Sequence, residues 1–325
     1  MSSTPPAHSL DPASTSELLF VVGPTASGKT ELGVELARAH GLEICSLDSM
    51  LVYRGMDLGT AKPDAAERRG VPHHLIDLIE PSERYDVQRY VADAARELDA
   101  IAARGKRALF VGGTGLYLQV LVQGLFAGPA VDVELRAELE RRAASDGALA
   151  LHAALARVDP ELAAKLHPND VRRVIRGLEV HEQSGRPLSS WQEQWSAARR
   201  PARIVGIEPP RELHAERVAA RTQAMLEAGW IDEVRAIRGA SGFGPTACQA
   251  LGYAEILAYL DGTLVDDRTP VRDEVLLAAL IARRTRQFAR RQRTWYRRFD
   301  TIDWVPFDAS PAERVEHAAR ALGLV

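Results

Sequence analysis

The run Gly23-Pro24-Thr25-Ala26-Ser27-Gly28-Lys29-Thr30 fits G-x-x-x-x-G-K-[ST] without a mismatch. Such a run cradles a polyphosphate. Its glycines let the backbone curl until successive N–H groups converge on the anion, its lysine charges the outer phosphates, and its last hydroxyl can hold Mg2+. The chain has only four lysines, Lys29, Lys62, Lys106 and Lys165, and otherwise uses Arg for fixed positive charge. A compact ammonium suits the phosphate role, so its presence at position 29 is informative. The motif does not say which polyphosphate is bound.

Asp48 follows an apolar run, so a carboxylate is expected near the cradle, as a base or a metal ligand; a turn Asp capping the next segment is the plainer alternative. Gly112-Gly113-Thr114-Gly115 forms a second glycine loop. His73 and His74 are adjacent and cannot face one way on a strand, and no further His or Cys follows at metal spacing, so both read as structural.

These residues need elements to position them. Residues 18–22 read as a buried strand and 30–40 as a helix stopped by Gly41. A second strand, 43–47, delivers Asp48 and Ser49 to its carboxyl end, where open α/β sheets bind ligands. A helix at 86–104 leads to a third strand, 107–111, and then to the glycine loop and a helix at 116–123. After Gly128-Pro129 the texture changes: 131–198 is Arg-rich and helical (133–145, 147–157, 170–183) before a strand returns at 203–207. The pattern predicts an α/β fold, a P-loop NTPase-like core with a mostly parallel sheet plus a helical insertion domain. The expected divisions are a disordered tail at 1–17, a first part of the core at 18–127, the insertion at 128–200, and a second part of the core at 201–325.

With 46% hydrophobic and 26% charged residues and a net charge of −3, the 325-residue chain has the composition of an ordinary globular protein. No apolar run approaches a membrane span, the N-terminus lacks the regions of a signal peptide, and Cys45 and Cys248 make no disulfide framework, so a cytoplasmic protein is expected. Positive charge is concentrated late. Arg283, Arg286, Arg290, Arg293 and Arg297 alternate steps of three and four and form one helical stripe, with Ile281, Phe288, Trp295 and Phe299 on the opposite, core-facing side. No acidic residue lies between Arg283 and Arg298, so the stripe reads as an outward, unneutralised ridge for a polyanion. Tyr53, Trp191 and Trp195 could stack on bases, though core packing or a plain surface role explains them as well.

Three chemistries fit: ATP-dependent phosphotransfer, transfer from a diphosphate to a nucleic-acid acceptor, and nucleotide-gated binding. A phosphotransferase usually ends a buried strand in an Asp for Mg2+; the strand at 107–111 ends in Gly, although the one ending near Asp48 could serve. Transfer to a nucleic acid uses every feature. In chain order, GPTASGKT, DSMLVYRGMDLGTAKP, VGGTGLYL, HPNDVRRVIRGLEV, TACQALGYAE and TRQFARRQRTWYRR closely resemble the bacterial tRNA dimethylallyltransferases (isopentenyl-diphosphate:tRNA isopentenyltransferases) from about Leu18 to Phe299. The resemblance implies a Mg2+-dependent cytoplasmic monomer. It would move a dimethylallyl group from dimethylallyl diphosphate to the exocyclic N6 amine of adenosine 37, 3′ of the tRNA anticodon, releasing diphosphate. The helical insertion would grip the anticodon stem-loop, with no obligatory protein partner and no membrane.

Carried over by motif, Gly23, Pro24, Thr25, Ala26, Ser27, Gly28, Lys29 and Thr30 would hold the diphosphate, with Mg2+ at Thr30. Arg217 and Arg221 match an arginine pattern near the diphosphate, but one extra residue between Leu213 and Arg217 leaves the choice between them open. Asp48 matches the general base, and Lys29, Thr30 and Thr114 complete the catalytic set. Asp48, Ser49, Met50, Leu51, Thr114, Arg136, Arg172, Arg173, Val174, Ile175, Arg176, Gln249, Ala250, Leu251, Gly252, Tyr253 and Ala254 match tRNA-contacting positions. Leu51 stands where many members have Gln, and the eukaryotic type of C-terminal zinc finger is not seen. Isopentenyl transferases acting on free adenine nucleotides share the loop and the acidic residue, but a small nucleotide needs neither the insertion nor the ridge.

Overall fold

The computed structural model describes residues 17–124, 128–192 and 200–325. Except for Glu17, the expected tail lies outside this range, as does Trp195. The chain divides into two compact units: Met1–Val122 with Arg200–Val325, and Gln123–Arg199.

The first unit is built on β1 (Leu18–Val22), β2 (Glu43–Leu47), β3 (His73–His74), β4 (Ala108–Gly112) and β5 (Ala202–Ile207), joined by a late edge strand at Ile302–Val305. The order across the sheet is β3-β2-β4-β1-β5 and then the edge strand, and every pairing is parallel. A parallel sheet is covered on both faces, which is why its strands read as continuous apolar runs. Leu18, Phe20 and Val22 point into one core, Leu19 and Val21 into the other.

Helices α1 (Lys29–His40), the single-turn α2 (Ala65–Arg68), α3 (Val87–Ala103) and α4 (Gly115–Gln123) precede the second unit. That unit holds α5 (Val133–Asp146), α6 (Ala148–Val158), α7 (Pro160–Lys165), α8 (Val171–Ser184) and α9 (Leu188–Gln192). The first unit resumes with α10 (Arg211–Glu227), α11 (Trp230–Gly239), α12 (Tyr253–Leu260), the two-stranded hairpin β6 (Val265–Asp266) and β7 (Thr269–Pro270), α13 (Glu274–Tyr296), β8 (Ile302–Val305, the edge strand) and α14 (Pro311–Ala321). The basic helix is longer than the stretch from 281 that its charge pattern marks: Asp273 caps it, accepting the Leu276 N–H at 2.8 Å, and adds two turns. The short strands β3 and β8 escaped notice because two and four residues carry almost no periodic signal.

The second unit is all helical among its described residues, with a core of its own around Leu139, Leu155, Val174, Ile175 and Leu178. Beside that core Glu179 is 0% exposed. It accepts from Arg136 at 2.5 Å, from Arg176 at 2.8 Å and from the Asp132 N–H at 3.1 Å. Arg176 also donates to the Pro129 carbonyl at 2.8 Å. Removing one partner of a buried ion cluster strands the others. Glu179→Ala should therefore cost this unit about 3 kcal/mol, seen as an earlier transition in chemical denaturation and as faster proteolysis within 123–199. An unchanged midpoint would mean that the cluster is energetically neutral.

Candidate active site

β1 runs straight into the phosphate-type loop. Gly28, the residue before α1, has φ +91°, a conformation that glycine adopts without strain, and it starts the helix so that the loop's amides and the helix N-terminus face one point. The loop is held from outside by two helices. Gln292 accepts the Thr25 N–H at 3.0 Å, and its own amide donates to the Gly113 carbonyl at 2.9 Å. One turn on, the Tyr296 hydroxyl reaches the Gly23 and Gly113 carbonyls at 3.1 and 3.2 Å. On α10, His214 Nε2 donates to the Thr25 carbonyl at 2.8 Å.

A cavity of about 350 Å³ opens at the carboxyl edge of the sheet. Of the predicted residues it brings together Thr25, Ala26, Lys29 and Thr30 from the loop and Asp48, Ser49, Met50 and Leu51 after β2. Thr114 and Arg221 also line it, as do Gln249, Ala250, Leu251 and Tyr253. A second cavity, about 660 Å³, lies against the outer side of the loop at Ser27 and Gly28 and shares Ala26, Lys29, Thr30 and Arg221 with the first. The phosphate-type loop therefore sits where the two meet.

Asp48 makes a turn and also lies beside the phosphate-type loop. Its Oδ1 accepts the Met50 N–H at 2.9 Å, an Asx turn, and its carboxylate lines the first cavity. The adjacent Ser49 N–H donates to the Thr114 hydroxyl at 3.1 Å, tying the two loops. Lys29 donates to the Pro24 carbonyl at 3.2 Å. Desolvation pulls its ammonium down to about 8; Asp48 opposes that shift and Arg221 adds to it. Arg221 is itself lowered, first by desolvation, against the pull of Glu67 and Asp48.

Other predicted residues lie elsewhere. Gly23, Pro24, Gly252 and Ala254 support the walls rather than line either cavity. Arg217 is exposed, with its guanidinium 5.0 Å from the Phe307 ring centroid. Within the second unit, Arg172 and Arg173 are exposed, and Arg136 and Arg176 are occupied by Glu179. Val174 and Ile175 are core residues at 0% and 4% exposure, so their side chains pack the bundle and cannot be a contact surface. Tyr53 is fully buried, which removes it as a stacking surface, and Trp191 lies under Arg186, 4.3 Å away.

The basic stripe needs correction. Arg283 is paired with Asp266 and Arg293 with Glu208 at 2.6 Å, while Arg284, off the stripe, is paired with Glu255 at 2.5 Å. No acid lies along the stripe's own sequence, but folding supplies them from β6 and from the segment after β5. Arg290 and Arg297 are exposed, as is Arg291, which lies off the stripe on the cavity wall. Phe288, expected in the core, instead lines the cavity at 37% exposure. Sequence reasoning also missed Gln292, Tyr296, His214 and the cavity-lining His73 and Trp230. For Gln292 a signal existed: with Ile281, Thr285 and Phe288 it keeps helical spacing, a polar residue on a partly apolar face.

A model of the IPP transferase family matches residues 51–299, and one described as isopentenyl transferase matches 16–80. The chain is 46% identical over 294 residues to the tRNA dimethylallyltransferase of Geobacter metallireducens, covering 89% of this chain and 92% of that one. It is 45% identical to the tRNA dimethylallyltransferase of Halorhodospira halophila, over 95% and 99% of the two chains. The chain belongs to the tRNA dimethylallyltransferase family. Solved structures agree with that membership. The full-length tRNA isopentenylpyrophosphate transferase of Bacillus halodurans superposes with a TM-score of 0.67 at 37% identity, covering 94% of this chain and 97% of that one. A eukaryotic dimethylallyltransferase captured acting on tRNA gives 0.70 at 29% identity, over 86% and 70%. The six-stranded parallel sheet is thus the P-loop kinase-like core of this family.

Lys29 gives the site a pH signature. A bound polyanion favours the ammonium, so affinity for inorganic diphosphate, taken as a ratio to that of Lys29→Arg at each pH so that the ligand's own titration cancels, should be flat below pH 8 and fall as pH rises through about 8, where the free site loses its proton. Calorimetric titrations of both proteins between pH 7 and 9.5 would show this. A flat ratio would place the Lys29 cation away from the anion.

Proposed function

We propose that this chain transfers the dimethylallyl group of dimethylallyl diphosphate to the N6 amine of adenosine 37 in tRNA, as membership of the tRNA dimethylallyltransferase family implies. One observation carries the assignment of the site: a single cavity holds Lys29, Thr30, Asp48, Thr114, Arg221 and the loop around Gln249. Adenosine 37 leaves its stack and presents its amine to Asp48, at an unstacking cost of a few kcal/mol. The N6–C1 bond forms as the C1–O bond to diphosphate breaks. The amine proton passes to Asp48 Oδ2, Oδ1 being engaged by Met50. Negative charge grows on the departing diphosphate, and the amides of Ala26 to Thr30, Lys29 and Arg221 stabilise it in place; one such donor is often worth about 3–4 kcal/mol. Between the two candidate arginines, the cavity favours Arg221 over Arg217.

Mg2+ fits this donor set. Among the described residues no cluster of three or more His, Cys, Asp or Glu groups is placed to hold a metal. Mg2+ commonly takes one or two protein oxygens and completes its shell with phosphates and water. Thr30 would hold it against the diphosphate, where it would neutralise developing charge.

Among the described residues no helix is long and apolar enough to cross a membrane. We place the enzyme in the cytoplasm with its tRNA, as a monomer needing no protein partner. The insertion at 128–200 would grip the anticodon stem-loop through the exposed Arg172 and Arg173, with Arg136 and Arg176 bracing their helix. Arg290, Arg291 and Arg297 would contact phosphates from α13.

The deciding experiment supplies labelled dimethylallyl diphosphate and Mg2+ with unmodified tRNA and, in parallel, AMP, while ATP hydrolysis is monitored. Label in tRNA alone is expected. Label in AMP would move the protein to the free-nucleotide class, and ATP consumption without transfer would make the loop an ATP site. Asp48→Asn should bind tRNA normally and lose roughly 10²–10⁴-fold in single-turnover rate; a near-normal rate removes Asp48 as the base. Arg290→Ala and Arg297→Ala should each lower the slope of log affinity for tRNA against log salt by roughly 0.7–0.9, one phosphate contact each. Arg283→Ala should leave the slope alone, because Asp266 already neutralises that charge.

A further inference from the structure

We propose that Gln292 is a positioning residue for the transfer, a single side-chain amide that sets the diphosphate cradle and the Thr114 loop in one register. The inference rests on the transferase reading of the site and adds to it a residue far from the phosphate motif in sequence. Gln292 is 6% exposed and faces the cavity from α13. Its Oε1 takes the Thr25 N–H and its Nε2 gives to the Gly113 carbonyl. Gly113 precedes Thr114, whose hydroxyl holds Ser49 beside Asp48. The amide thus connects the anion site to the loop that carries the carboxylate.

The fit is specific to an amide. One oxygen must accept and one nitrogen must donate, at opposite ends of a planar group. Leucine would fill the volume, leave the part-buried Thr25 N–H unpaired and leave the Gly113 carbonyl to the Tyr296 hydroxyl alone. A carboxylate would keep the acceptor and lose the donor. The approach is also close: a Cβ on Gly113 would stand 2.4 Å from Gln292 Nε2.

The other side of Thr25 is held as well, by His214 on its carbonyl. Both polar groups of the Thr25 main chain are therefore taken by side chains, and its N–H is not one of the cradle's donors. The next residue, Ala26, sits at φ +60°, which a residue with a Cβ adopts at a cost. Holding Thr25 from both sides keeps that turn in place, and the amides from Ala26 onward then point at the anion.

The test compares Gln292→Leu and Gln292→Glu with the wild type, measuring KM for dimethylallyl diphosphate, kcat, the Kd for tRNA by filter binding, and the Kd for inorganic diphosphate. Gln292→Leu should raise KM and the diphosphate Kd roughly tenfold or more, the usual consequence of leaving a buried main-chain group unpaired, with tRNA Kd within about twofold. Gln292→Glu should regain kcat/KM relative to wild type as pH falls from 8 to 5, because burial opposite the Gly113 carbonyl favours the protonated carboxyl, which restores the missing donor, whereas the Leu variant should keep a constant ratio. That profile separates positioning from simple loss of stability. The proposal is overturned if Gln292→Leu binds diphosphate like the wild type, or if both variants lose tRNA and diphosphate affinity in parallel with no recovery at low pH. Should the Leu variant fail to fold, the pH profile of the Glu variant decides alone. If wild-type protein transfers no label to tRNA, the functional reading fails, while the inorganic diphosphate affinities still judge Gln292.

Discussion

The hydrogen bonding of β1 on both sides, to β4 and to β5, is the constraint on which the site depends. Both neighbours run parallel to it, so the loops leaving the strands emerge at one edge. The phosphate-type loop leaves β1, Asp48 leaves β2 and the Gly113–Thr114 loop leaves β4. Burial of both faces fixes that register: shifting β1 by one residue would exchange the sets facing the two cores and move the loop out of line. The geometry that would let a carboxylate act beside a departing diphosphate is thus set by apolar packing beneath it.

Electrostatics at that edge is a balance in a poorly hydrated place. Arg221 disfavours the Lys29 charge, and both cations lose hydration. Asp48 offsets part of that penalty for both. A polyanion would complete the balance, since it adds the charge that two crowded cations lack. The same crowding explains why the loop is braced by uncharged or weakly charged groups, Gln292, Tyr296 and His214, rather than by further ions. Amides and hydroxyls fix main-chain groups and would not compete for a bound phosphate.

Charge elsewhere is handled differently. Arginine is abundant, yet many arginines are committed inside the protein: Arg136 and Arg176 to Glu179, Arg284 to Glu255, Arg293 to Glu208. Glu255 also caps α12 by accepting the Gly252 N–H at 2.5 Å, so its pair with Arg284 fastens the loop around Gln249 to α13. The arginines left exposed are a subset that no one-dimensional charge count selects.

The sequence alone determined the parallel α/β core, the phosphate-type loop between β1 and α1, the helical character of 131–198 as far as residue 192, beyond which 193–198 lie outside the described residues, and the placement of Asp48 at a strand's end. Each rests on local information: an eight-residue motif, apolar runs of strand length, helix stops at glycine. The family resemblance was also legible, because six motifs recur in order. Tertiary structure decided what depended on partners distant along the chain. Gln292 meets Thr25 only after 267 intervening steps of chain have folded back. The acids that quench Arg283 and Arg293 lie outside their helix, Phe288 turns to a cavity rather than the core, and Arg221 rather than Arg217 lines the cavity beside Lys29. Periodicity reports which face of a helix differs from the rest, but what that face meets is set by packing among elements, and no spacing along one helix encodes it.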